Sequence, residues 1–412
     1  MPDVAYLFER FPSFGQTFCY REVVELERQG ARVRVFSIRR PTDEPRQDWD
    51  QRLVDRVHYL PEEKVLVPEI DRAIKKGAVS SGMRGAIQSW DRQPDFLRLY
   101  QAVHVGRHME EAGLRHVHAH FAGMAARTAY WIREFFGTTY SFTAHANDIF
   151  SPREFTVSLA KLISNAASVV TVSDYAVDLL KQKFPESAAK ICRVYNGIEL
   201  SRFPAAEPDA EKPSIISVGR LIEKKGFADL IDACGILKAK RHDFRCTIIG
   251  DGPLEEALQS RITKAGLLDC VELTGPLPQP EIASRLARAT LFALPCIREA
   301  DGAMDNLPTV IMEAMAAGLP VVSTPLAGIP EMVKPGINGD LVPERDPNML
   351  ANAIAALLTN RERAREFGVR GREIAAEKFS IETNVRQLRE IFTRIPARTS
   401  SRVDKPDADR PA

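Results

Sequence analysis

Cysteine is scarce in this 412-residue chain. The six that occur, Cys19, Cys192, Cys234, Cys246, Cys270 and Cys296, are scattered with no short pairing. That spacing argues against a zinc-binding cysteine motif and suits a reducing compartment. An excess of either charge is also missing, since 56 basic residues face 55 acidic ones for a net charge of +1. Nucleic acid is therefore not an expected partner. No run approaches the roughly 18 uninterrupted apolar residues of a membrane-spanning helix. The opening Met-Pro-Asp-Val-Ala-Tyr-Leu-Phe-Glu-Arg lacks a basic region leading into a long apolar core. No secretory signal is read there, and a cytoplasmic location is expected.

What is present suits a soluble α/β protein. Hydrophobic content of 44% and charged content of 27% are near the globular average. The length calls for two cores rather than one. Short β-branched runs at Val4–Phe8, Arg32–Ile38, Val117–Phe121, Tyr140–Ala144, Ser168–Val172 and Lys190–Tyr195 alternate with helical or loop segments. The rhythm restarts at Ser214–Val218 and continues through Arg245–Gly250, Val271–Thr274, Leu291–Pro295 and Pro320–Thr324. Strand and helix in alternation predict two doubly wound parallel sheets, with ligands at the carboxyl ends of the strands.

Between the two series, Ser201–Pro213 holds three prolines among small and charged residues and reads as a linker. Domains of 1–203 and 204–380 follow. Residues 381–395 have helical spacing, with Val385, Leu388, Ile391 and Phe392 on one stripe, and are expected to return to the first domain. The tail 396–412 has almost nothing apolar to bury and is expected to be disordered.

Chemistry concentrates between Pro295 and Thr324. A strand leads into a polar loop with Asp305 and Asn306, and then Leu307–Ala317 reads as a helix closed by Gly318. A helix start offers unpaired N–H groups that suit a diphosphate. Asp305 and Glu313, about two turns apart, could face one ligand and accept hydrogen bonds from sugar hydroxyls. Carboxylates for hydroxyls and backbone donors for phosphates describe a nucleotide sugar. A second segment, Val218-Gly219-Arg220-Leu221-Ile222-Glu223-Lys224-Lys225-Gly226, places Arg220 and Lys225 around a strand-to-helix turn, where they can meet phosphate oxygens. The turn Gly250-Asp251-Gly252-Pro253 keeps its side chains small.

These segments, with Ser141–Asp148, Tyr195–Glu199 and Gly336–Pro343, resemble the retaining glycosyltransferases of family 4, which have the GT-B fold. The opening Phe11–Phe18 looks like members that build bacterial exopolysaccharides, with Gly15-Gln16 where serine-glutamate is common. The resemblance implies that Glu313 binds the nucleotide ribose and Asp305 the donor sugar's hydroxyls. Asp305 stands where the family has glutamate, a methylene shorter and roughly 1.5 Å less in reach. The resemblance further implies that Arg220 and Lys225 neutralise the leaving diphosphate, while Gly219, Gly250, Gly252, Asn306, Leu307, Pro308 and Thr309 line the donor site. Gly15 then approaches the donor phosphates and His145 the transferred sugar. His120 and Asp148 are candidates for the same cleft. No cofactor and no metal are expected. The donor is a nucleotide-diphosphate sugar, and the acceptor a glycan or polyprenyl-linked saccharide.

A nicotinamide oxidoreductase would want Gly-x-Gly-x-x-Gly after the first strand, where the chain reads Glu9-Arg-Phe-Pro-Ser-Phe-Gly15. A nucleotide-sugar epimerase of the same fold would need acid–base groups placed for proton abstraction, and a non-catalytic sugar-nucleotide binder is hinted at only by Asp305. His116, His118 and His120 alternate on one strand face, but no carboxylate accompanies them in sequence, so no metal site is expected. Asp407 and Asp409 in the tail imitate a metal-binding pair without context. Glu331 is expected to complement a helix start. The stretch Lys75, Lys76, Arg84, Trp90, Arg92, Leu97 and Arg98 reads as a solvated helical region, or else as a patch resting on anionic lipid.

Overall fold

The structure, a computed structural model, describes residues 3–42, 44, 47–90, 93–151, 154–207 and 212–395. The expected disordered tail, with Asp407 and Asp409, lies outside the described residues, as does Arg92.

The first half supplies β1 Asp3–Arg10, β2 Arg32–Arg39, β3 His58–Tyr59, β4 His116–His120, β5 Thr139–Ala144, β6 Ser168–Thr171 and β7 Ile191–Arg193. They form one parallel sheet in the order β3-β2-β1-β4-β5-β6-β7. The second half supplies β8 Ser214–Val218, β9 Arg245–Ile249, β10 Val271–Leu273, β11 Leu291–Leu294, β12 Val321–Ser323 and β13 Gly339–Leu341. These are also parallel, in the order β10-β9-β8-β11-β12-β13. Both sheets are covered by helices on their two faces, which is why Val4–Phe8 and Leu291–Leu294 are buried throughout. The order reverses between β1 and β4 and again between β8 and β11. At such a switch the loops diverge and leave a crevice at the strand ends.

Two expectations need correcting. Strands β3 and β13, of two and three residues, are too short to show a period, and sequence reading passed over them. The 201–213 stretch is not all linker, because Phe203 is fully buried in the core of the second half. Its neighbouring prolines set the local composition, but the aromatic ring has an apolar place to go.

The chain passes between the halves at two adjacent points. Ile198 N–H donates to Phe379 O at 2.8 Å, and Ile381 N–H donates to Ile198 O at 3.0 Å. A side chain at Gly197 would put its Cβ 2.4 Å from Ile381 Cα, so the crossing requires glycine. Beyond it the helix Ile381–Arg394 lays Val385, Leu388 and Phe392 against Tyr6, Val23 and Leu26 of the first half. Phe392→Ala should cost about 3–5 kcal/mol by opening a cavity there. Urea unfolding would show it, and an unchanged midpoint would mean that the helix contributes little.

Candidate active site

The β8–β11 switch gathers most of the chemistry. β8 ends at Val218, and Lys225 closes the short turn Glu223–Lys225 before Gly226 at φ 69°. Gly226 is obligatory, since a Cβ would sit 1.8 Å from Pro295 O. Lys225 Nζ donates to Asp305 Oδ2 at 2.5 Å, and Lys224 Nζ lies 3.4 Å from Asp305 Oδ1. Burial pushes the Asp305 carboxyl up, but Lys225 and Lys224 outweigh it and hold it below the ordinary value. Burial likewise pulls Lys225 down, and Asp305 more than restores it. Both groups are therefore charged. Gly219 makes room, with its missing Cβ 3.4 Å from Lys225 Cδ and Cε.

Gly250 and Gly252 hold the neighbouring turn tight. At φ 145° a Cβ on Gly250 would approach Gly219 O to 2.0 Å, and one on Gly252 would approach Leu221 O to 2.6 Å. Gly250→Ala should destabilise the protein by about 3 kcal/mol or more, combining strain with a backbone clash. A thermal melt unchanged from the parent would contradict this.

The helix after the loop runs Thr309–Ala316, shorter than the expected Leu307–Ala317, because Pro308 takes the cap position with extended backbone. Among the described residues nothing accepts from the Thr309 and Val310 N–H groups, while Ile311 N–H already donates to Pro308 O. The helix start thus offers two donors and the positive end of its dipole. Asn306 and Leu307 are buried. Asn306 Oδ1 accepts from Ser173 Oγ of the first half at 2.5 Å, and its Nδ2 has no partner among the described residues.

Glu313 is 7% exposed and accepts from Gln279 Nε2 at 2.9 Å. Burial raises its carboxyl to about 7 against the pull of Arg21, Gln279 and Arg202. Arg21 belongs to the helix Thr17–Arg28 of the first half, so a cation faces this acid across the cleft. The Nε of Arg21 is buried without a described partner.

The opposite wall is built on β4, β5 and the helix Ala146–Phe150. His145 is buried, with Nε2 3.2 Å from His120 Nδ1. His120 Nε2 in turn meets Glu22 Oε1 at 3.0 Å, and Glu22 also accepts from Tyr6 Oη at 2.7 Å. Burial and the neighbouring His120 hold His145 far below its ordinary value, so its imidazole is neutral. For His120, burial is overcome by Cys19 and Glu22, and the ring is raised to about 10. Asp148 is spent on backbone, accepting from His145 N at 2.9 Å, and burial raises it to about 6. Asn147 reaches across instead, and its Oδ1 accepts from Lys224 Nζ at 3.3 Å.

The structure therefore joins Lys225 to Asp305 directly and brings both, through Lys224, to Asn147, two residues after His145. It does not join Glu313 to Asp305, which hold different partners. Arg220 is exposed, and its side chain has no hydrogen bond or ion pair with any described residue. Gly15 is exposed in the turn Phe14–Gln16, with open space where a Cβ would lie. Just before it, Phe14 N–H donates to Glu44 Oε2 at 2.5 Å, and Ser13 Oγ donates to Glu44 Oε1 at 3.1 Å. Sequence reasoning did not single out Lys224, Asn147, Arg21, Glu22, Gln279 or Glu44. None sits in a distinctive pattern except Lys224, adjacent to Lys225.

The histidine row also differs from expectation. No carboxylate accompanies it on β4, yet Glu22 arrives from the helix Thr17–Arg28. The ring nitrogens of His118 are already engaged by Ser141 Oγ at 2.8 Å and Thr143 Oγ1 at 3.0 Å, and those of His116 by Thr139 and Ser141. Glu331 does complement a helix start, but that of the other half: it accepts from Asp174 and Tyr175 N–H, both at 3.0 Å. In the basic stretch, Arg98 is buried and so does not form part of a lipid-facing surface, while Trp90 is partly buried and packs edge-on against Trp131. No helix among the described residues is long and apolar enough to cross a membrane.

Comparison with known proteins adds the following. Residues 15–202 match the family model Glycosyltransferase Family 4, and residues 201–374 match Glycosyl transferases group 1. The amylovoran biosynthesis glycosyltransferase AmsK of Erwinia amylovora is 40% identical over 210 residues, which are 50% of this chain and 52% of that protein. The putative colanic acid biosynthesis glycosyltransferase WcaL of Escherichia coli K12 is 40% identical over 220 residues, 52% of this chain and 53% of that one. The matched region spans about half the length of these relatives. The crystal structure of Anabaena Alr3699/HepE in complex with UDP superposes with a TM-score of 0.69 at 18% identity, covering 95% of this chain and 99% of that one. At that identity the likeness is one of fold.

Proposed function

Because the chain belongs to the glycosyltransferases described by the family 4 and group 1 models, with the GT-B arrangement of two parallel-sheet domains, we propose that it is a retaining, metal-independent hexosyltransferase. It takes the sugar from a nucleotide diphosphate and delivers it to a glycan or polyprenyl-linked saccharide during exopolysaccharide or other cell-surface polysaccharide assembly. The relatives named for amylovoran and colanic acid biosynthesis support the pathway class. The UDP held by the Anabaena protein supports a nucleotide donor.

One observation carries the reading. At the β8–β11 switch, partly buried Lys225 is paired with Asp305, and the helix that begins four residues beyond Asp305 opens with the unpaired Thr309 and Val310 N–H groups. As the bond from the anomeric carbon to the phosphate oxygen breaks, charge develops on the diphosphate. Cations and amides fixed there beforehand stabilise it without reorganising. The acceptor hydroxyl attacks the same face of the sugar, and its proton passes to the departing phosphate oxygen. Asp305 holds hydroxyls of the sugar, Glu313 accepts from those of the ribose, and Arg220 closes over the diphosphate from solvent. Neutral His145 lines the sugar's other side, in an orientation fixed by His120 and Glu22.

A thermal-shift panel of nucleotide-diphosphate sugars tests this, because a donor bridging both domains stabilises the folded chain. One donor should raise the melting temperature by several degrees, with the same increment in the presence of chelator. No shift with any donor, or an increment lost on chelation, would contradict the reading.

A further inference from the structure

Away from the cleft, three histidines converge at the outer edge of the first sheet. His58 lies on the edge strand β3, two strands from the β1–β4 switch. His104 and His108 are four residues apart on the helix Leu97–Glu111 and so share one of its faces. The three ring centroids are 4.3, 4.6 and 5.3 Å apart, and one nitrogen from each ring lies within 4.8 Å of the other two. His58 Nε2 and His104 Nε2 are 3.0 Å apart.

We propose that His58, His104 and His108 form a binding site for one borderline-soft divalent transition-metal ion such as zinc. Tetrahedral Zn–N bonds of about 2.0–2.1 Å place ligand nitrogens about 3.3 Å from one another. The His58–His104 spacing is within a few tenths of an ångström of that value, and a nitrogen of His108 lies within 4.8 Å of both.

The outer groups fit as well. His108 Nδ1–H donates to His104 O at 2.9 Å, which fixes the tautomer and leaves Nε2 unprotonated as a ligand atom. Glu69 Oε1 stands 3.9 Å from His104 Nδ1, behind the ring, where a carboxylate orients a metal-bound imidazole. Arg34 and Arg107 are the cations nearby, and Arg34 Nη1 is directed to His108 O at 3.4 Å. The Glu22, His118, His120 cluster differs, because its nitrogens are already committed to hydroxyls, a second imidazole and Glu22. The ion would tie a two-residue edge strand to a helix 46 positions further along the chain. It takes no part in transfer, so activity at moderate temperature should not depend on it.

The test uses the tag-free full chain, stripped with chelator and titrated with Zn2+ or Co2+. Binding of one equivalent is expected, with the visible absorption of tetrahedral Co2+ and a melting temperature about 5 °C higher at saturating Zn2+. His58→Gln and His108→Gln should each abolish the absorption and the shift while keeping the parent's far-UV circular dichroism. On the unmutated chain, Zn2+ should protect His58, His104 and His108 from diethylpyrocarbonate more than tenfold, read by peptide mass spectrometry. Absence of one-equivalent binding would overturn the proposal. So would binding that persists in folded variants, or protection that falls on other histidines.

Discussion

Lys225→Ala should lower kcat/KM for sugar transfer by about 10²–10³-fold, the usual loss when one preorganised donor to developing charge is removed. The loss should fall on kcat, because the role proposed for Lys225 is to meet charge as it accumulates on the leaving diphosphate. The fold should survive. Asp305 keeps Lys224 at 3.4 Å, so its carboxylate is not left alone in the interior. Lys225→Arg should not rescue the enzyme, because a planar guanidinium does not reproduce the compact point charge that the ammonium places on Asp305. Steady-state kinetics with urea unfolding separates the two effects. Transfer within threefold of the parent would remove Lys225 from the mechanism.

Glu313→Gln should weaken donor binding by about 10- to 100-fold, because an amide offers its one carbonyl oxygen where a carboxylate offers two charged ones. The pH dependence is more diagnostic. The carboxyl rises from an ordinary 4.5 to about 7 in the folded chain without donor. Between those values the folded state binds more proton than the unfolded one, so stability falls as pH rises through that window. The loss attributable to Glu313 is on the order of 3 kcal/mol between pH 4.5 and 7. Glu313→Gln cannot titrate, and its stability should be flatter over the same range. Donor affinity should rise in the parent as pH passes through about 7, since in the proposed role ribose hydroxyls donate to the ionised form. Identical pH profiles for parent and variant would contradict the role.

Much of the fold is legible in the sequence. Strands such as Ser214–Val218 and Leu291–Leu294 are contiguous apolar runs, and buried parallel strands look that way in sequence. The glycines at 250 and 252 marked a turn that neighbouring backbone crowds, while Gly219 marked one beside the Lys225 side chain. What sequence could not supply was pairing at a distance. Lys225 and Asp305 are 80 positions apart, and nothing local ranks Lys225 above Lys224 or reveals that both meet one carboxylate. Asp148 attracted attention as an acid, yet it binds its own backbone while the amide of Asn147 crosses the cleft. Glu22 reaches His120 only because a helix packs over β4. Phe203 was hidden by the prolines around it.

The most direct measurement is the structure of a complex with a non-transferable nucleotide-sugar donor. The diphosphate should lie about 3 Å from Lys225 Nζ and from the Thr309 and Val310 N–H groups, with the ribose on Glu313 and the sugar between Asp305 and His145. A diphosphate bound elsewhere, with Lys225 still paired only to Asp305, would contradict the account.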